Sequence, residues 1–280
     1  NSAGAWGGAA SIGLGVARIH GSSFSGNTAS SWGGALFSGA FFGGVGSAVV
    51  TGSTFDDNST NGPGGAIYAD GGLEVSQSSF VANSAGGDGG GIWAGGNALV
   101  TRSTFSANQA AAGGGIWTGG ELALVYGSTF RDNIASVAGS ARGGGASTFG
   151  HQLRYAGNLI AGTCAGNACA YVTDCHNVLI PGSSCAPFGP AAGDLLGVAD
   201  AALALGPLTS DGRTWFHVPG PSSAALDRQA AGCPDPDQRN WLGADPACDA
   251  GAIEVGAVDA ILFEDGFELG LATWSAVVGG

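Results

Sequence analysis

The chain contains no lysine and no methionine, and charged residues make up only 10% of it. Eight arginines stand against 21 aspartates and glutamates, which gives a formal net charge of −13. Nucleic acids and anionic membranes both attract surfaces with concentrated positive charge. The composition therefore predicts neither of them as a partner.

Long apolar runs are also missing. No stretch approaches the ~20 predominantly apolar residues that a membrane-spanning helix needs, so we predict no membrane span. An acidic, lysine-free surface mainly keeps a secreted protein soluble and apart from its neighbours. Apolar residues still make up 44% of the chain, which indicates a packed interior rather than disorder.

Cysteine is absent from the chain before Cys164. The six cysteines are Cys164, Cys169, Cys175, Cys185, Cys233 and Cys248. An even number in loop-like sequence favours disulfides in an oxidising compartment, and their spacing, even with His176 added, fits no common zinc pattern. Of the fifteen pairings that six cysteines allow, we favour Cys233 with Cys248, Cys175 with Cys185, and Cys164 with Cys169.

A short phrase built on phenylalanine and asparagine returns five times. Ser-Ser or Ser-Thr precedes each phenylalanine, an asparagine follows it three positions later, and the last four copies are evenly spaced. The residues are Phe24, Phe55, Phe80, Phe105 and Phe130, with Asn27, Asn58, Asn83, Asn108 and Asn133. A second phrase, Gly-Gly-Ala/Gly-Ile/Leu-aromatic, lies at residues 33–37, 64–68, 89–93 and 113–117. A fixed period of about 25 residues indicates a repeat architecture whose units are stable only when stacked.

The apolar residues within each repeat alternate with a period of two. Positions seven and five before each phenylalanine are apolar, as at Ala48 and Val50, which is the periodicity of a strand. A unit of about 25 residues is too short for a propeller blade and lacks the leucine-rich signature. We therefore predict an all-β coil of three short strands per circuit, with the strands of successive circuits stacked in parallel. The phenylalanines would fill its core, and the asparagines would sit at a corner, tolerate left-handed backbone and bond to one another.

Gly-Gly-Ala-Ile paired with Phe-x-x-Asn resembles the double motif of the polymorphic outer-membrane protein repeats, over about residues 5–150. This resemblance implies that the coil is a right-handed parallel β-helix. Short pieces at residues 158–162, 223–227, 237–239 and 248–254 resemble the C-terminal part of the choice-of-anchor β-helix surface proteins. Both resemblances imply secretion or display on a bacterial surface, associated with the outer membrane. We divide the chain into β-helix repeats (1–162), cysteine-containing coils with a cap (163–254) and a tail for sorting, attachment or assembly (255–280).

A column of aromatic residues is the candidate contact site. Phe37, Tyr68, Trp93 and Trp117 occupy one position on four successive rungs, each after a Leu or Ile that should point inward. Alternation would turn the rings outward, where they could stack on sugars or pack against another protein. The alternatives are that the rings point inward or that a loop covers them.

Carboxylates are the other candidates, because parallel β-helices also include pectin-degrading enzymes. A glycosidase needs a carboxylate pair about 5–9.5 Å apart, and the adjacent Asp56 and Asp57 should diverge. The acidic residues around Arg239 could offer oxygens to calcium, but we favour an ion pair from Arg239 to Asp237 or Asp249 that locks a loop. We name no catalytic residue and no required cofactor or metal.

The function predicted is a structural or adhesive surface protein. The alternative is a carbohydrate-active β-helix enzyme or carbohydrate-binding module. Partners would be a second copy, another surface protein or a polysaccharide. Because the pattern is already under way at Trp6-Gly7-Gly8, we expect the first rung to be covered by a further segment, a neighbour or the tail of another copy. The tail residues suited to this, and to fibre assembly, are Ile261, Phe263, Phe267, Leu269 and Leu271.

Overall fold

The structure is a computed structural model. It describes residues 1–39, 45–120, 122–136, 146–148, 152–156, 158–161, 171–175, 177–179, 193–228, 236–242 and 247–259. The predicted assembly tail and five of the six cysteine side chains lie outside the described part.

Four parallel sheets run side by side along the molecule, and each circuit of the regular repeats adds one strand to each sheet. The first sheet contains Ser2–Ala3, Thr28–Ala29, Ser59–Thr60, Ser84–Ala85, Gln109–Ala110 and Ile134–Ala135. The second contains Ala10–Ile12, Leu36–Ser38, Ile67–Ala69, Ile92–Ala94, Ile116–Thr118 and Ala146–Thr148. The third contains Gly15–His20, Gly46–Thr51, Leu73–Ser76, Ala98–Thr101, Leu122–Tyr126, Gln152–Ala156 and Tyr171–Cys175. The fourth contains Ser23–Ser25, Thr54–Asp56, Ser79–Val81, Thr104–Ser106, Thr129–Arg131, Leu159–Ala161 and Val178–Leu179.

The strand register confirms the predicted solenoid and its period. Phe80 pairs with Phe55 on one side and with Phe105 on the other, each exactly one repeat away in the sequence. Each circuit has four strands, however, where the sequence predicted three. The missed strand follows the asparagine corner and has two residues, as at Ser59–Thr60, which is too short to show an alternation.

The core is built from side chains that repeat at equal positions in each circuit. The third sheet contributes Val50, Val75 and Val100, all fully buried. The fourth contributes the phenylalanine rings. From Phe24 to Phe130 they stack with centroids 4.8 to 4.9 Å apart and planes within 6° of parallel. Neighbouring circuits are therefore joined by ring-to-ring contact as well as by backbone hydrogen bonds.

Asparagines form a continuous hydrogen-bonded ladder at the corner between the fourth and first sheets. Each Oδ1 accepts from the backbone N–H and the Nδ2 of the previous asparagine, as Asn83 does from Asn58 at 3.0 and 2.9 Å. Each Nδ2 also donates to a backbone carbonyl, as Asn83 does to Phe55 at 2.9 Å. The expectation that these asparagines are left-handed is wrong, because the residue before each one takes positive φ instead, as Asp57 does at 52°.

A serine ladder marks the corner between the third and fourth sheets. Ser53 N–H donates to Ser78 Oγ, and Ser78 N–H donates to Ser103 Oγ, each at 3.1 Å. Asn158 and Asn177 take over this role in the later circuits, and Asp194 accepts from Asn177. The solenoid therefore extends beyond the regular repeats.

The Gly-Gly phrases turn the chain into the second sheet. Gly64 has φ of 74°, and a Cβ there would lie 2.4 Å from the Ile67 carbonyl oxygen. A Cβ on Gly65 would lie 2.0 Å from the Gly90 carbonyl oxygen of the next circuit. Both glycines are thus required, one by the turn and one by the close approach of successive circuits.

The chain leaves the solenoid after Leu195 and folds back against the fourth sheet. We call residues 200–259 the C-terminal extension. It contains the helix Asp200–Leu203, an antiparallel pair of Leu205–Ser210 with Trp215–Pro219, and a second pair of Trp241–Leu242 with Val258–Asp259. These elements lie outside the four parallel sheets, and the predicted segment of coils with a cap over residues 163–254 stays a prediction.

Hydroxyl groups on the outer face of the fourth sheet hold the extension. Thr54 Oγ1 donates to the Arg213 carbonyl at 2.8 Å, and Ser79 Oγ accepts from Trp215 N–H at 3.0 Å. Thr104 Oγ1 donates to Gln238 Oε1 at 2.6 Å, and Thr129 Oγ1 accepts from Ala252 N–H at 3.0 Å. The residue before each core phenylalanine thus docks the extension.

The acidic residues near the end of the extension organise its loops. Arg239 Nε and Nη2 both donate to Asp237 Oδ2, at 2.9 and 2.6 Å, and the guanidinium lies 4.1 Å from the Trp241 ring. Asp249 accepts from the N–H groups of Asp227 and Val255. Cys248 is buried and disulfide-bonded, while the predicted pairings, including Cys233 with Cys248, stay predictions.

Candidate contact surface

The aromatic column lies on the outer face of the second sheet. Phe37, Tyr68, Trp93 and Trp117 pair in register at the centre of four successive strands. Their neighbours in those strands, Leu36, Ile67, Ile92 and Ile116, belong to the core cluster, whereas the aromatic side chains do not. In these strands the aliphatic side chains therefore face the core and the aromatic side chains face outward, as the alternation along the strand predicted.

The aromatic rings in this column stack face to face on their neighbours. Tyr68 and Trp93 stack at 4.2 Å, Trp93 and Trp117 at 5.1 Å, and Phe37 and Tyr68 at 5.4 Å, all with planes within 15° of parallel. A sugar ring cannot stack on a face that another ring already covers. The column therefore presents ring edges to the outside, and its predicted contact with a sugar or another protein stays a prediction.

Two further tryptophans cover one end of the column. Trp6 and Trp32 pair across adjacent circuits, and Trp32 stacks on Tyr68 at 5.3 Å. Phe37 is consequently 2% exposed and Tyr68 9% exposed. The sequence signal for this cover is a tryptophan directly before a Gly-Gly pair, which occurs at Trp6 and at Trp32.

The other end of the column lacks this cover. Backbone hydrogen bonds align Trp32 with Pro63, Asp88 and Ala112 in the following circuits. With these smaller residues in place of tryptophan, Trp93 and Trp117 are half-buried. The candidate contact surface is therefore the pair of outward edges of Trp93 and Trp117, which we call the tryptophan edge.

Two polar groups in the column differ in whether they have a hydrogen-bond partner. The Tyr68 hydroxyl donates to Asp70 Oδ1 at 3.3 Å, and burial, together with the charge of Asp70, raises the pKa of Tyr68. Tyr68 thus stays a neutral donor. Trp117 Nε1 is buried and has no hydrogen-bond partner among the residues that the structure describes.

The carboxylates weighed as candidates in the repeats lie at turns or pair with arginine in the described part of the chain. Asp57 occupies a turn, and burial raises the pKa of the neighbouring Asp56. Asp132 and Asp200 both pair with Arg131, at 3.1 and 2.6 Å. Among the described residues no three His, Cys, Asp or Glu side chains lie close enough together to hold a metal ion.

A buried histidine joins the extension to the solenoid. His217 is 8% exposed; its Nε2 lies 3.1 Å from Ser106 Oγ, and its Nδ1 lies 2.9 Å from the Gly206 carbonyl oxygen. Burial lowers the pKa of His217; Arg131 lowers it further, whereas the Gly206 carbonyl and Asp132 raise it. The contact between Ser106 and His217 resembles a nucleophile paired with its base. Because both side chains are buried, we interpret it as a contact that holds the extension against the solenoid.

The docked extension should loosen in mild acid. His217 has a lower pKa when folded than when unfolded, so its neutral form stabilises the fold above the ordinary pKa of about 6.5, and this stability is lost as the pH falls below that value. The parent should melt at a lower temperature near pH 5 than near pH 7.5, and the drop should be smaller in His217→Gln. Equal drops in the two proteins would contradict the role of His217.

No helix in the described residues is long and apolar enough to cross a membrane. A family model for the Chlamydia polymorphic membrane protein (Chlamydia_PMP) repeat matches residues 21–39 and 52–70. Each matched segment contains one Phe-x-x-Asn phrase and the Gly-Gly phrase that follows it. These two segments are therefore similar to the repeat of that family. Searches of curated proteins and of solved structures found no match, and the resemblance to the choice-of-anchor proteins stays a prediction.

Proposed function

We propose that the protein is a non-catalytic structural or adhesive solenoid, displayed on a bacterial surface or secreted, that presents a contact surface to another surface protein or a polysaccharide. The observation that carries this proposal is the pair of continuous side-chain ladders running through circuits that bear a surface-protein repeat. Such circuits form a rigid support rather than a cleft.

Rigidity follows from the way the circuits are joined. From Phe24 to Phe130, every step between neighbouring circuits combines parallel backbone pairing, a stacked phenyl pair and an asparagine pair whose hydrogen bonds are buried. Buried hydrogen bonds of this kind are costly to break, because each broken bond leaves an unsatisfied polar group. A surface on such a support keeps its geometry at a distance from the cell.

The tryptophan edge is the contact surface that we assign to this support. Tryptophan is enriched at binding hot spots because it offers a large apolar area and one polar handle. Trp93 and Trp117 supply that area. A partner would pack against the two outward edges.

The test is adhesion of a laboratory bacterium that displays the chain. Four strains are compared at equal display levels: the parent, the double variant Trp93→Ala/Trp117→Ala, the matched control Trp215→Ala, and the empty host. Trp215 is 38% exposed and lies on the extension, away from the second sheet. We expect the parent and Trp215→Ala to increase adhesion to cultured cells or to polysaccharide-coated surfaces, and the double variant to lose most of the gain.

Two results would overturn the proposal. Adhesion by the parent equal to that of the empty host on all surfaces would remove the adhesive role. Release of new reducing ends or unsaturated products from polysaccharides by purified protein, repeated after a second purification, would establish an enzyme instead.

A further inference from the structure

A polar groove separates the C-terminal extension from one corner of the solenoid. Its volume is about 550 Å³, within the range of roughly 300–1,000 Å³ that is usual for ligand pockets. One wall is the serine corner of the first three circuits, at His20–Ser23, Thr51, Gly52 and Gln77. The other wall is formed by Gly212, Arg213 and Thr214 together with residues 238–240. The groove is distinct from the tryptophan edge, which lies on the second sheet.

The opening of the groove depends on a single repeated position. Gly21, Gly52, Gln77, Arg102 and Gly127 precede the serines of successive circuits, and all five have positive φ. Where the residue is long, its side chain bridges to the extension: Gln77 Nε2 donates to the Asp237 carbonyl at 2.8 Å, and Arg102 donates to the Pro236 carbonyl. Where the residue is Gly21 or Gly52, a Cβ would meet nothing within 4 Å. Glycine at these two positions leaves the groove empty.

The walls are fixed before any ligand arrives. The hydrogen bond from Thr54 to the Arg213 carbonyl and the one from Trp215 N–H to Ser79 hold the turn at residues 211–214. Gln238 is held at both ends, since its Oε1 accepts from Thr104 and its Nε2 donates to the Trp215 carbonyl. A groove with fixed walls binds at a smaller entropic cost than one that must be ordered.

The charge of the groove is opposite to that of the chain. Two of the eight arginines, Arg213 and Arg239, line it together with His20, and no described aspartate or glutamate does, although the net charge is −13. The carboxylates next to the lining residues in the sequence bond to them: Asp211 accepts from the N–H groups of Arg213 and Thr214, and Asp237 accepts from backbone N–H groups and forms an ion pair with Arg239, which offsets part of the charge of Arg239. Such a lining favours an anion.

Donors in the groove remain available for a ligand. Arg239 is held by Nε and Nη2, and its Nη1 has no hydrogen-bond partner among the described residues. Thr214 is 2% exposed, and its Oγ1 has no partner in the described part of the chain. Buried polar groups without partners are uncommon, and each requires an explanation such as a bound molecule.

The remaining lining residues indicate the rest of the ligand. Ser22, Ser23, Thr51 and Asn240 offer hydroxyl and amide groups, which both donate and accept, and no aromatic ring of a described residue lines the groove apart from the imidazole of His20. A ligand that carries both hydroxyl groups and a carboxylate fits this set, whereas an apolar ligand or a neutral sugar that stacks on rings does not. We propose that the groove binds the carboxylate-bearing sugar of an acidic oligosaccharide.

The experiment measures binding by calorimetry to the purified full chain. The probe is a tetrasaccharide in which glucuronate alternates with N-acetylglucosamine, and the matched control is the same molecule with its carboxylates reduced to alcohols. The blocking variant is Gly52→Gln, which copies Gln77 at the same position and the same positive φ. Its control is Gly26→Gln, which has a similar φ of 61° and equally open space but lies at the asparagine corner.

We expect the acidic tetrasaccharide to bind, and the reduced one to bind at least about tenfold more weakly. Gly52→Gln should weaken binding at least about tenfold, while Gly26→Gln should bind like the parent. If Gly52→Gln fails to fold, Arg213→Gln is tested in its place, because it removes a positive charge from the lining of the groove. It should also bind the acidic tetrasaccharide more weakly than the parent does. Equal binding of both tetrasaccharides, unchanged binding by the blocking variant, equal binding of an acidic peptide of the same charge, or no binding would each overturn the proposal.

Discussion

Phe80→Ala should lower the free energy of unfolding by about 3–5 kcal/mol, the usual cost of deleting a buried aromatic ring. Phe80 is fully buried and stacks on Phe55 at 4.9 Å and on Phe105 at 4.8 Å, so its removal breaks two ring contacts and opens a cavity mid-stack. For a chain of this size the loss corresponds to roughly 6–20 °C in melting temperature.

Ile134→Ala is the matched control for this prediction. It also removes a large apolar side chain, but Ile134 is 50% exposed and leaves no buried cavity, so its effect should stay near about 0.5 kcal/mol. Circular dichroism during heating provides the measurement. If Phe80→Ala melts within a degree or two of the parent, the phenylalanine column does not contribute substantially to the stability of the core.

The parallel register could be predicted from the sequence because the repeats are regular. When repeats have a constant length, stacking them in parallel places each residue beside the equivalent residue of the next repeat. Val75, for example, pairs with Val50 on one side and with Val100 on the other. The strand Ser59–Thr60 was not predicted, because two residues are too few to show an alternation of apolar and polar positions. The left-handed site was assigned to Asn58 instead of Asp57, because a corner motif does not reveal which of two adjacent residues turns the chain.

The C-terminal extension could not be predicted, since it has no internal repeat. Its position depends on contacts such as the one between Thr104 and Gln238, which are 134 residues apart. The contact surface was only half predictable for a similar reason. Alternation along the strand turns Trp93 outward, but the cover over Tyr68 comes from Trp32, which precedes the strand of another circuit. The contact between Thr104 and Gln238 leaves no local pattern in the sequence, and the cover is marked only by a tryptophan directly before a Gly-Gly pair.

The asparagine ladder connects the repeat motif to the function that we propose. The phenyl column contributes apolar burial, which a different set of core residues would also provide. The asparagines instead satisfy backbone groups at a corner where the sheets end, and each one serves the circuits on both sides of it. A break in the ladder therefore removes the link between adjacent circuits, and the solenoid loses its rigidity at that point.

Asn83→Ala should be as damaging as loss of a core ring. Asn83 is fully buried, and its side chain makes four hydrogen bonds: Oδ1 accepts from the N–H and the Nδ2 of Asn58, and Nδ2 donates to the Phe55 carbonyl and to Asn108 Oδ1. The substitution leaves several buried groups without partners, at about 1–3 kcal/mol each. We expect the free energy of unfolding to fall by roughly 4 kcal/mol or more, measured by urea denaturation.

Two further variants separate the ladder from a general loss of packing. Asn97→Ala, the control, removes an exposed asparagine that accepts one hydrogen bond from Leu122 N–H, and it should cost about 1 kcal/mol or less. Asn83→Asp keeps the size and the acceptor but loses the donors and buries a charge, which raises the carboxyl pKa when folded. Its deficit should therefore be large near neutral pH and shrink as the pH falls through that raised pKa.

The amide of Asn58 provides the most direct readout, because its proton bonds to the Asn83 side chain. Its hydrogen exchange should speed up in Asn83→Ala and stay slow in Asn97→Ala. Slow exchange at Asn58 together with near-parental stability of Asn83→Ala would show that backbone pairing alone holds the circuits together. In that case the asparagines would be dispensable to the rigid support on which the proposed function depends.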